Sequence, residues 1–423
     1  MLRRLNAACA VMLAAVSAMS PSAGQLVIDS DFEGASVRVL EVNQDEGRVV
    51  IMPGGDPQRG WPAWWCFRAT QLSEGQSLTV RVMPSLSVLP AGRSGAGQPL
   101  SARWALPDQA AWSTDGTRWK QTEPGSTEQG GMTYRLTAVS SDMFIAWGPL
   151  ATPSTMNEWL DQSAASHDFV QTFELATTLE NRPVRGIRIA SGIKPINARP
   201  VVWIHARQHA WESGSSWVAR GVGDWMTGSS PAAIRLRDNA LIYIVPIMDV
   251  DRVTTGDGGK ESVPHDHNRD WSDDPRYPEV AAVQNRIRQW VVQDRFAVFV
   301  DLHNPGPGDD KAYFFVAPDE VIDKPGIQRR DDFLNVIDAT WDANIPFDRT
   351  VRSTGPGYHP LWQQISSNWV TRHTGDDTVA VCLETAWNTP HSSTDGYRSV
   401  GASLGRGISR FLGGHSDQPV SNE

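Results

Sequence analysis

From residue 152 onward, continuous apolar runs alternate with stretches of helical periodicity, and this alternation is the strongest constraint on the fold. Helices are predicted over residues 212–226, 278–293 and 330–342. Runs that are apolar and β-branched throughout are typical of strands that are buried on both faces. The predicted strands are GIRIAS, PVVWIHA, ALIYIVPIM, FAVFVDLH, KAYFFVA and DDTVAVCLE. We therefore expect an α/β domain over residues 152–414, built on a mixed sheet with helices on both faces.

Residues 24–151 have a different texture, because short β-like runs alternate there with Gly, Pro, Asn, Asp and Ser. No long stretch of this region has helical periodicity. Many short strands separated by turn residues indicate an antiparallel β-sandwich. The runs are SVRVLEV, RVVIMP, WWCFRAT, SLTVRVM, TYRLTAV and MFIAWGP.

The two ends of the chain are predicted to lie outside both domains. At the N-terminus, two arginines precede an apolar run over residues 7–18 and small residues follow, which is the layout of a secretory signal peptide over residues 1–23. That run is too short to span a bilayer, and no later segment has about 18 continuous apolar residues. We therefore expect a protein exported to the periplasm or medium, without stable membrane insertion. Residues 415–423 are polar and are expected to be a frayed tail.

Charge and cysteine content exclude some classes of protein. A formal net charge of -10 argues against a nucleic-acid partner, which would require a basic face. Cys66 and Cys382 lie in apolar, strand-like surroundings, so they are interpreted as buried free thiols rather than a disulfide framework. The sequence does not indicate an oligomeric state.

A candidate metal site begins in the stretch HARQHAWESGSSW, where His209 and Glu212 follow the predicted strand PVVWIHA. His303 ends the strand FAVFVDLH. Active groups in open α/β sheets collect at the carboxyl ends of strands, so these three side chains are expected to meet. Two histidines and a glutamate are a ligand set of hydrolytic zinc enzymes, which keep a further position open. The alternative for His303 is a strand-end histidine bonded to the backbone.

Glu384 ends another predicted strand, VAVCLE. A carboxylate there is costly unless it is paired, coordinating or exposed in a cleft. Beside a zinc ion it could take a proton from water and pass it to a leaving amine. The alternative is a carboxylate that pairs with a surface arginine.

The segment HDHNRDW supplies groups that could bind a substrate carboxylate. Arg269 can grip a carboxylate with two parallel hydrogen bonds, and Asn268 adds a neutral donor. Asp266 could bind the outer ring nitrogen of a zinc histidine and fix its tautomer. The alternative for the Asn-Arg pair is a surface turn.

These segments together resemble the zinc metallocarboxypeptidases, and in particular their cytosolic carboxypeptidase (deglutamylase-like) branch. The resemblance lies in HARQHAWESGSSWV, IVPIMDVDRVTTGDGGKESVPHDHNRDW, VDLHNP and CLETAW, in the family's order. Members of that branch carry H-P-G-E followed by S-W, then N-P-D-G-V, D-L-N-R, D-L-H and a late catalytic Glu. The first domain is similar as well, since the branch places a β-sandwich before the peptidase.

The resemblance implies a role for each matching residue. His209, Glu212 and His303 would hold one Zn²⁺, and Asp266 would orient a zinc histidine. Glu384 would be the general base and acid, while Asn268 and Arg269 would bind the substrate's C-terminal carboxylate. Tyr358, in the Gly-rich segment TGPGYHPLW, is the best candidate for the tyrosine that closes over the substrate.

The chain departs from the family pattern at three places. H-P-G-E has become His209-Ala210-Trp211-Glu212, in which Trp211 would crowd or stack in the cleft, and N-P-D-G-V has become DVDRV. Gly259 stands where the family has the arginine that stabilises the oxyanion, a contribution typically worth about 2.7–4 kcal/mol for each donor. Lys260 or Arg252 could substitute for it.

The sequence therefore predicts an exported zinc metallocarboxypeptidase that hydrolyses the C-terminal peptide bond of peptides or proteins. One alternative is a catalytically weak or inactive member of the fold that binds peptides, which the Gly259 departure motivates. Another is a zinc amidase or deacylase that acts on a carboxylate-bearing substrate.

Overall fold

The computed structural model describes residues 25–413, so the predicted signal peptide and polar tail lie outside the described residues. Between residues 25 and 150 the chain forms ten strands. They are β1 (Val27–Asp29), β2 (Arg38–Asn43), β3 (Arg48–Met52), β4 (Cys66–Thr70), β5 (Ser77–Val82), β6 (Ala111–Ser113), β7 (Lys120–Gln121), β8 (Ser126–Glu128), β9 (Gly131–Thr137) and β10 (Met143–Ala146).

These strands form two five-stranded sheets, with the orders β1-β4-β10-β6-β7 and β2-β3-β5-β9-β8. Neighbouring strands are antiparallel, except that β3 and β5 pair in parallel. Apolar side chains of both sheets, such as Val80 and Ile145, belong to one buried cluster. The predicted antiparallel sheets ahead of an α/β region are confirmed, and we call this part of the protein the sandwich.

After residue 150 the described chain alternates helices and strands, as the sequence predicts. The helices are α1 (Pro153–Ser166), α2 (Ser213–Thr227), α3 (Pro231–Asn239), α4 (Val250–Thr255), α5 (Pro278–Val292), α6 (Lys324–Thr340), α7 (Ser366–His373) and α8 (Thr394–Gly413). The strands are β11 (Val170–Thr177), β12 (Pro183–Ile189), β13 (Val201–Ala206), β14 (Leu241–Val245), β15 (Phe296–His303), β16 (Tyr313–Val316), β17 (Arg352–Ser353) and β18 (Val379–Glu384).

These eight strands form one mixed sheet in the order β11-β12-β14-β13-β15-β18-β16-β17. Its centre is parallel, because β14, β13, β15 and β18 run in the same direction. Their carboxyl ends therefore meet at one edge, where side chains from four separate segments can converge.

Helices cover both faces of this sheet. Trp203 on β13 packs against Trp290 of α5, with 5.8 Å between ring centroids. On the opposite face, Ile187 of β12 lies 3.5 Å from the position that a Cβ on Gly223 of α2 would occupy. The buried apolar cluster runs without interruption from these helices into the sandwich, where it includes Trp147. None of the described helices is long and apolar enough to cross a membrane.

Glycines allow α2 and α8 to pack closely. A Cβ on Gly401 of α8 would lie 2.1 Å from the carbonyl oxygen of Val218, and one on Gly221 of α2 would lie 2.3 Å from that of Arg398. Real Cβ atoms do not approach backbone oxygens so closely. The two helix backbones are in contact because neither carries a side chain at these positions.

We expect the Gly401→Ala substitution to lower the free energy of unfolding. Alanine would favour the helix by about 1 kcal/mol, but overpacking against a backbone costs about 1–3 kcal/mol and should prevail. Denaturant unfolding monitored by circular dichroism measures the difference. Gly375→Ala is the matched control, because a Cβ at Gly375 meets no atom within 4 Å. Equal stability of the two variants would contradict this account of the helix contact.

Candidate active site

The parallel centre of the sheet brings the predicted metal ligands together. His209 and Glu212 follow β13, His303 is the last residue of β15, and each offers a buried ligand atom. These three ligand atoms all lie within 4.8 Å of one another. His209 Nδ1 lies 2.8 Å from Glu212 Oε1, and His303 Nδ1 lies 2.6 Å from Glu212 Oε2. Both imidazoles thus direct Nδ1 towards the Glu212 carboxylate, so that all three side chains could bind one cation.

Buried carboxylates lie behind both histidines. His209 Nε2 is 3.1 Å from Asp266 Oδ1, and His303 Nε2 is 2.9 Å from Asp301 Oδ2. Burial would raise the pKa of Asp301, but the imidazoles of His303 and His205 hold it well below its usual range. Outer carboxylates of this kind orient metal-binding histidines and increase their basicity. The geometry therefore fits a zinc ion held by His209, Glu212 and His303.

Sequence reasoning identified Asp266 but missed Asp301. The buried Asp301 carboxylate accepts hydrogen bonds from Gln208 Nε2 at 2.6 Å and from the Ser366 hydroxyl. The signal was present in VDLH, because Asp301 and His303 are two residues apart on a strand and so share a face.

The loop between β13 and α2 has a fixed conformation. Arg207 has a left-handed backbone, with a φ of 65°. Its buried guanidinium donates to the carbonyl oxygens of Ala210 at 2.7 Å and Ala151 at 3.1 Å. Asn304 adds a backbone N–H that donates to Glu212 Oε2 at 3.2 Å. Sequence reasoning identified neither Arg207, which holds the loop through backbone carbonyls, nor Asn304, which contacts the Glu212 carboxylate directly.

Glu384 lies beside His303, because these residues are register partners on the parallel strands β15 and β18. Burial and the nearby Glu212 carboxylate raise the pKa of Glu384 to about 8. Within the described chain, its buried Oε2 has no hydrogen-bond partner. The alternative of a surface pair with an arginine is therefore not what the structure contains. This carboxylate is free to exchange a proton with a group in the cleft.

Asn268 and Arg269 differ in how their side chains are engaged. Asn268 Oδ1 accepts from the Ser366 backbone N–H at 3.0 Å, and its Nδ2 lies 3.0 Å from His303 Nε2. Arg269 donates through Nη1 to the Asn268 carbonyl oxygen, while its buried Nε has no partner within the described residues. The arginine is thus more available to a ligand than the amide, and the substrate role of Asn268 stays a prediction.

Of the two candidates for the missing arginine, Lys260 lines the cleft and Arg252 does not. Lys260 borders the same cavities as His209, Glu212 and Glu384. Burial opposes its charge, but the neighbouring Tyr358, Asp266 and Glu212 groups leave the pKa of Lys260 above its ordinary value. Arg252 instead donates to the Tyr277 hydroxyl at 2.9 Å and contacts Asp249.

Tyr358 lies on the rim of the cleft. Its side chain is 43% exposed, and its ring centroid is 5.1 Å from that of Phe315. It borders both the small cavity beside Arg269 and a larger one of about 260 Å³ that also contains Lys260 and Glu384. The flanking glycines and the exposure of this tyrosine are compatible with a group that closes over a bound substrate.

Trp211, expected to crowd or stack in the cleft, is fully buried yet borders the larger cavity. Its ring makes edge contacts with Trp104 at 5.5 Å and Trp147 at 5.3 Å, both in the sandwich. Trp104 borders the same cavity. The sandwich therefore forms part of the wall of the candidate active site.

Cys66 and Cys382, the two cysteines within residues 25–413, are free and buried, as predicted. Burial raises the pKa of Cys382, which borders the small cavity beside Arg269.

Comparisons with known proteins agree with this geometry. Residues 156–274 match the family model described as zinc carboxypeptidase, Peptidase_M14. The chain is 27% identical over 268 residues to an uncharacterised protein of Zymomonas mobilis, and 24% identical over 293 residues to cytosolic carboxypeptidase 6 of Caenorhabditis elegans. These matches cover 62% and 67% of this chain, and 64% and 63% of the two relatives' lengths.

Solved structures share the fold over almost the whole chain. A metallo-carboxypeptidase from Burkholderia cenocepacia superposes with a TM-score of 0.74 at 19% identity, covering 92% of this chain and 99% of that one. A metallo-carboxypeptidase from Pseudomonas aeruginosa gives 0.72 at 18% identity, covering 90% and 98%. The solved structures show the shared fold, and the match over residues 156–274 together with the cytosolic carboxypeptidase relatives indicates a Peptidase_M14 zinc carboxypeptidase domain in this chain.

Proposed function

We propose that this protein is a zinc-dependent exopeptidase that removes the C-terminal residue of peptides or proteins. One observation carries the proposal. The ligand atoms of His209, Glu212 and His303 converge at one edge of the sheet, where Glu384 presents a buried Oε2 that has no hydrogen-bond partner within the described residues. The N-terminal sequence further supports export to the periplasm or medium, where environmental or envelope peptides would be the substrates.

In this proposal, His209, Glu212 and His303 hold one zinc ion, which supplies Lewis-acid chemistry when bound. Glu384 takes a proton from the attacking water and later gives it to the leaving amine. Its raised pKa, to about 8, suits a group that both accepts and donates a proton near neutral pH. Asp266 and Asp301 keep the two imidazoles in one orientation throughout.

The Lys260 ammonium takes the place of the family's arginine, facing the negative charge that develops on the scissile carbonyl oxygen. An ammonium is a point charge, whereas a guanidinium donates in a rigid fork. We therefore infer that Lys260 supplies the same positive charge as the family's arginine but aligns the substrate carbonyl differently.

Arg269 binds the free C-terminal carboxylate of the substrate, and Tyr358 closes over the bound substrate. The unpartnered Nε of Arg269 and its position beside the small cavity support this role. Peptides with amidated C-termini separate this proposal from the amidase or deacylase alternative, because a carboxypeptidase requires the free terminal carboxylate.

A peptide-binding protein without turnover is the second candidate, and the glycine at position 259 is the observation that favours it. Release of free amino acids from a mixed peptide library, with and without a chelator, separates the two functions. Chelator-sensitive release supports the exopeptidase, and binding without release supports the second candidate.

We expect Glu384→Gln to retain zinc but to lose about 10²–10⁴-fold in kcat, the usual contribution of a general acid–base group. Zinc content measured by mass spectrometry and amino-acid release measured on the same sample give the two quantities. Glu320→Gln is the control, because Glu320 is an exposed glutamate that borders neither cavity of the site. Unchanged turnover in the Glu384 variant would refute the assigned base.

Peptides with amidated C-termini should be poor substrates, because Arg269 would lose its charged partner. Hydrogen bonds to charged groups are worth about 1.5–3 kcal/mol, which corresponds to a loss of about 10- to 150-fold in kcat/KM. In Arg269→Gln the free-acid peptide should fall to nearly the rate of the amide. If Arg269→Gln still prefers the free-acid peptide, another group binds the carboxylate.

A further inference from the structure

A segment of the sandwich runs directly alongside the loop that carries Lys260. We call residues 56–61 the strap and residues 256–263 the lysine loop. Three backbone hydrogen bonds join them: Gly259 N–H to the Arg59 carbonyl at 2.9 Å, Trp61 N–H to the Lys260 carbonyl at 2.9 Å, and Val263 N–H to the Gln58 carbonyl at 2.8 Å.

Glycines bring the two segments into contact. A Cβ on Gly258 would lie 1.9 Å from the Trp61 carbonyl oxygen, and a Cβ on Gly60 would lie 2.1 Å from the Gly259 nitrogen. Gly259 has a φ of +79°, and a Cβ there would lie 2.5 Å from the Ala210 nitrogen. No arginine can stand at position 259 in this arrangement. A side chain at position 259 would meet Ala210 and the Asp249 carboxylate, and the nearest cation of the lysine loop stands at the next residue, Lys260.

An ion pair ties the strap to the same loop. Arg59 Nε lies 2.5 Å from Asp257 Oδ2, and the Asp257 side chain is only 7% exposed. The Asp56 backbone N–H donates to the other Asp257 oxygen at 3.0 Å. One end of the lysine loop is therefore anchored through both backbone and side chains.

Trp61 contacts the lysine itself. The Lys260 Nζ lies 5.6 Å from the centroid of the Trp61 ring, within the range of a cation–π contact. Trp61 packs edge-on against Trp104 at 4.8 Å, and Trp104 contacts Trp211, the neighbour of the ligand Glu212. Trp61, Trp104 and Trp211 thus form a packed row of rings from the Lys260 ammonium to the metal ligand Glu212.

We propose that Trp61 is a positioning residue that holds the Lys260 ammonium in the cleft, so that the sandwich completes the catalytic site. The inference rests on the proposed peptidase function for its kinetic consequence, but the contact itself does not depend on turnover. Trp61 does not touch the reacting atoms. It acts through Lys260.

The kinetic test is a double-mutant cycle on the zinc-loaded full chain. Trp61→Leu keeps an apolar side chain in the packed row but removes the ring face, so kcat should fall about 2- to 30-fold, as expected for a cation–π contact, with KM nearly unchanged. Trp61→Phe should recover most of this loss. In a Lys260→Ala background, Trp61→Leu should cause no further loss, because the group that it positions is gone. Equal losses in both backgrounds would overturn the proposal.

A second measurement is independent of activity. The rate at which an amine-selective reagent labels Lys260, followed by mass spectrometry, should rise several-fold in Trp61→Leu and only slightly in Trp61→Phe. Trp112→Leu is the matched control, because Trp112 makes the same kind of contact with Lys120 at 5.4 Å elsewhere in the sandwich. It should leave both the labelling of Lys260 and kcat unchanged.

The two measurements separate the two proposals. If the wild-type protein releases no amino acids, the peptidase function fails and the labelling rate alone decides whether Trp61 holds Lys260. If the wild type is active but Lys260 is labelled at the same rate in Trp61→Leu, the positioning role is wrong and the peptidase function stands.

Discussion

The buried carboxylate of Asp301 is the interaction on which the candidate site depends. It lies 2.9 Å from His303 Nε2 and 3.1 Å from His205 Nε2, and it accepts a hydrogen bond from Gln208. Since Trp203 Nε1 donates to His205 Nδ1, the proton of a neutral His205 is on Nε2, facing Asp301. A charge so deeply buried is costly unless every partner is in place, so the strand ends around it are held in one arrangement.

The metal ligands could be predicted from the sequence because of where they stand on the strands. His209, His303 and Glu384 directly follow or end continuous apolar strands, and parallel strands present their carboxyl ends at the same edge. The candidate site residues were therefore predicted from their places at strand ends as much as from their side-chain chemistry. Sequence reasoning missed Arg207 and Gln208, because their roles depend on side-chain directions that no periodicity encodes.

Two other features, helix α8 and the glycine at position 259, depend on contact between segments far apart in the chain. Helix α8 was not predicted, because its glycines lower helix propensity, and yet Gly401 and Gly405 are what let it pack on α2. Gly259, which stands where the resemblance places an arginine, is required because a Cβ there would lie 2.5 Å from the backbone nitrogen of Ala210. Helix propensity depends on the local sequence, whereas both of these features depend on the backbone of a segment far away in the chain.

The contact between the sandwich and the lysine loop also bears on what the first domain is for. A domain that only assisted folding would not need to approach so closely that glycine is required at both Gly60 and Gly258, nor to place Trp104 in the wall of the cleft. A catalytic cation on an unsupported loop would spend much of its time in water, where its electrostatic effect is weak. Packing the lysine loop against the sandwich restricts that motion, and in the proposed mechanism it is what keeps the Lys260 ammonium facing the scissile carbonyl.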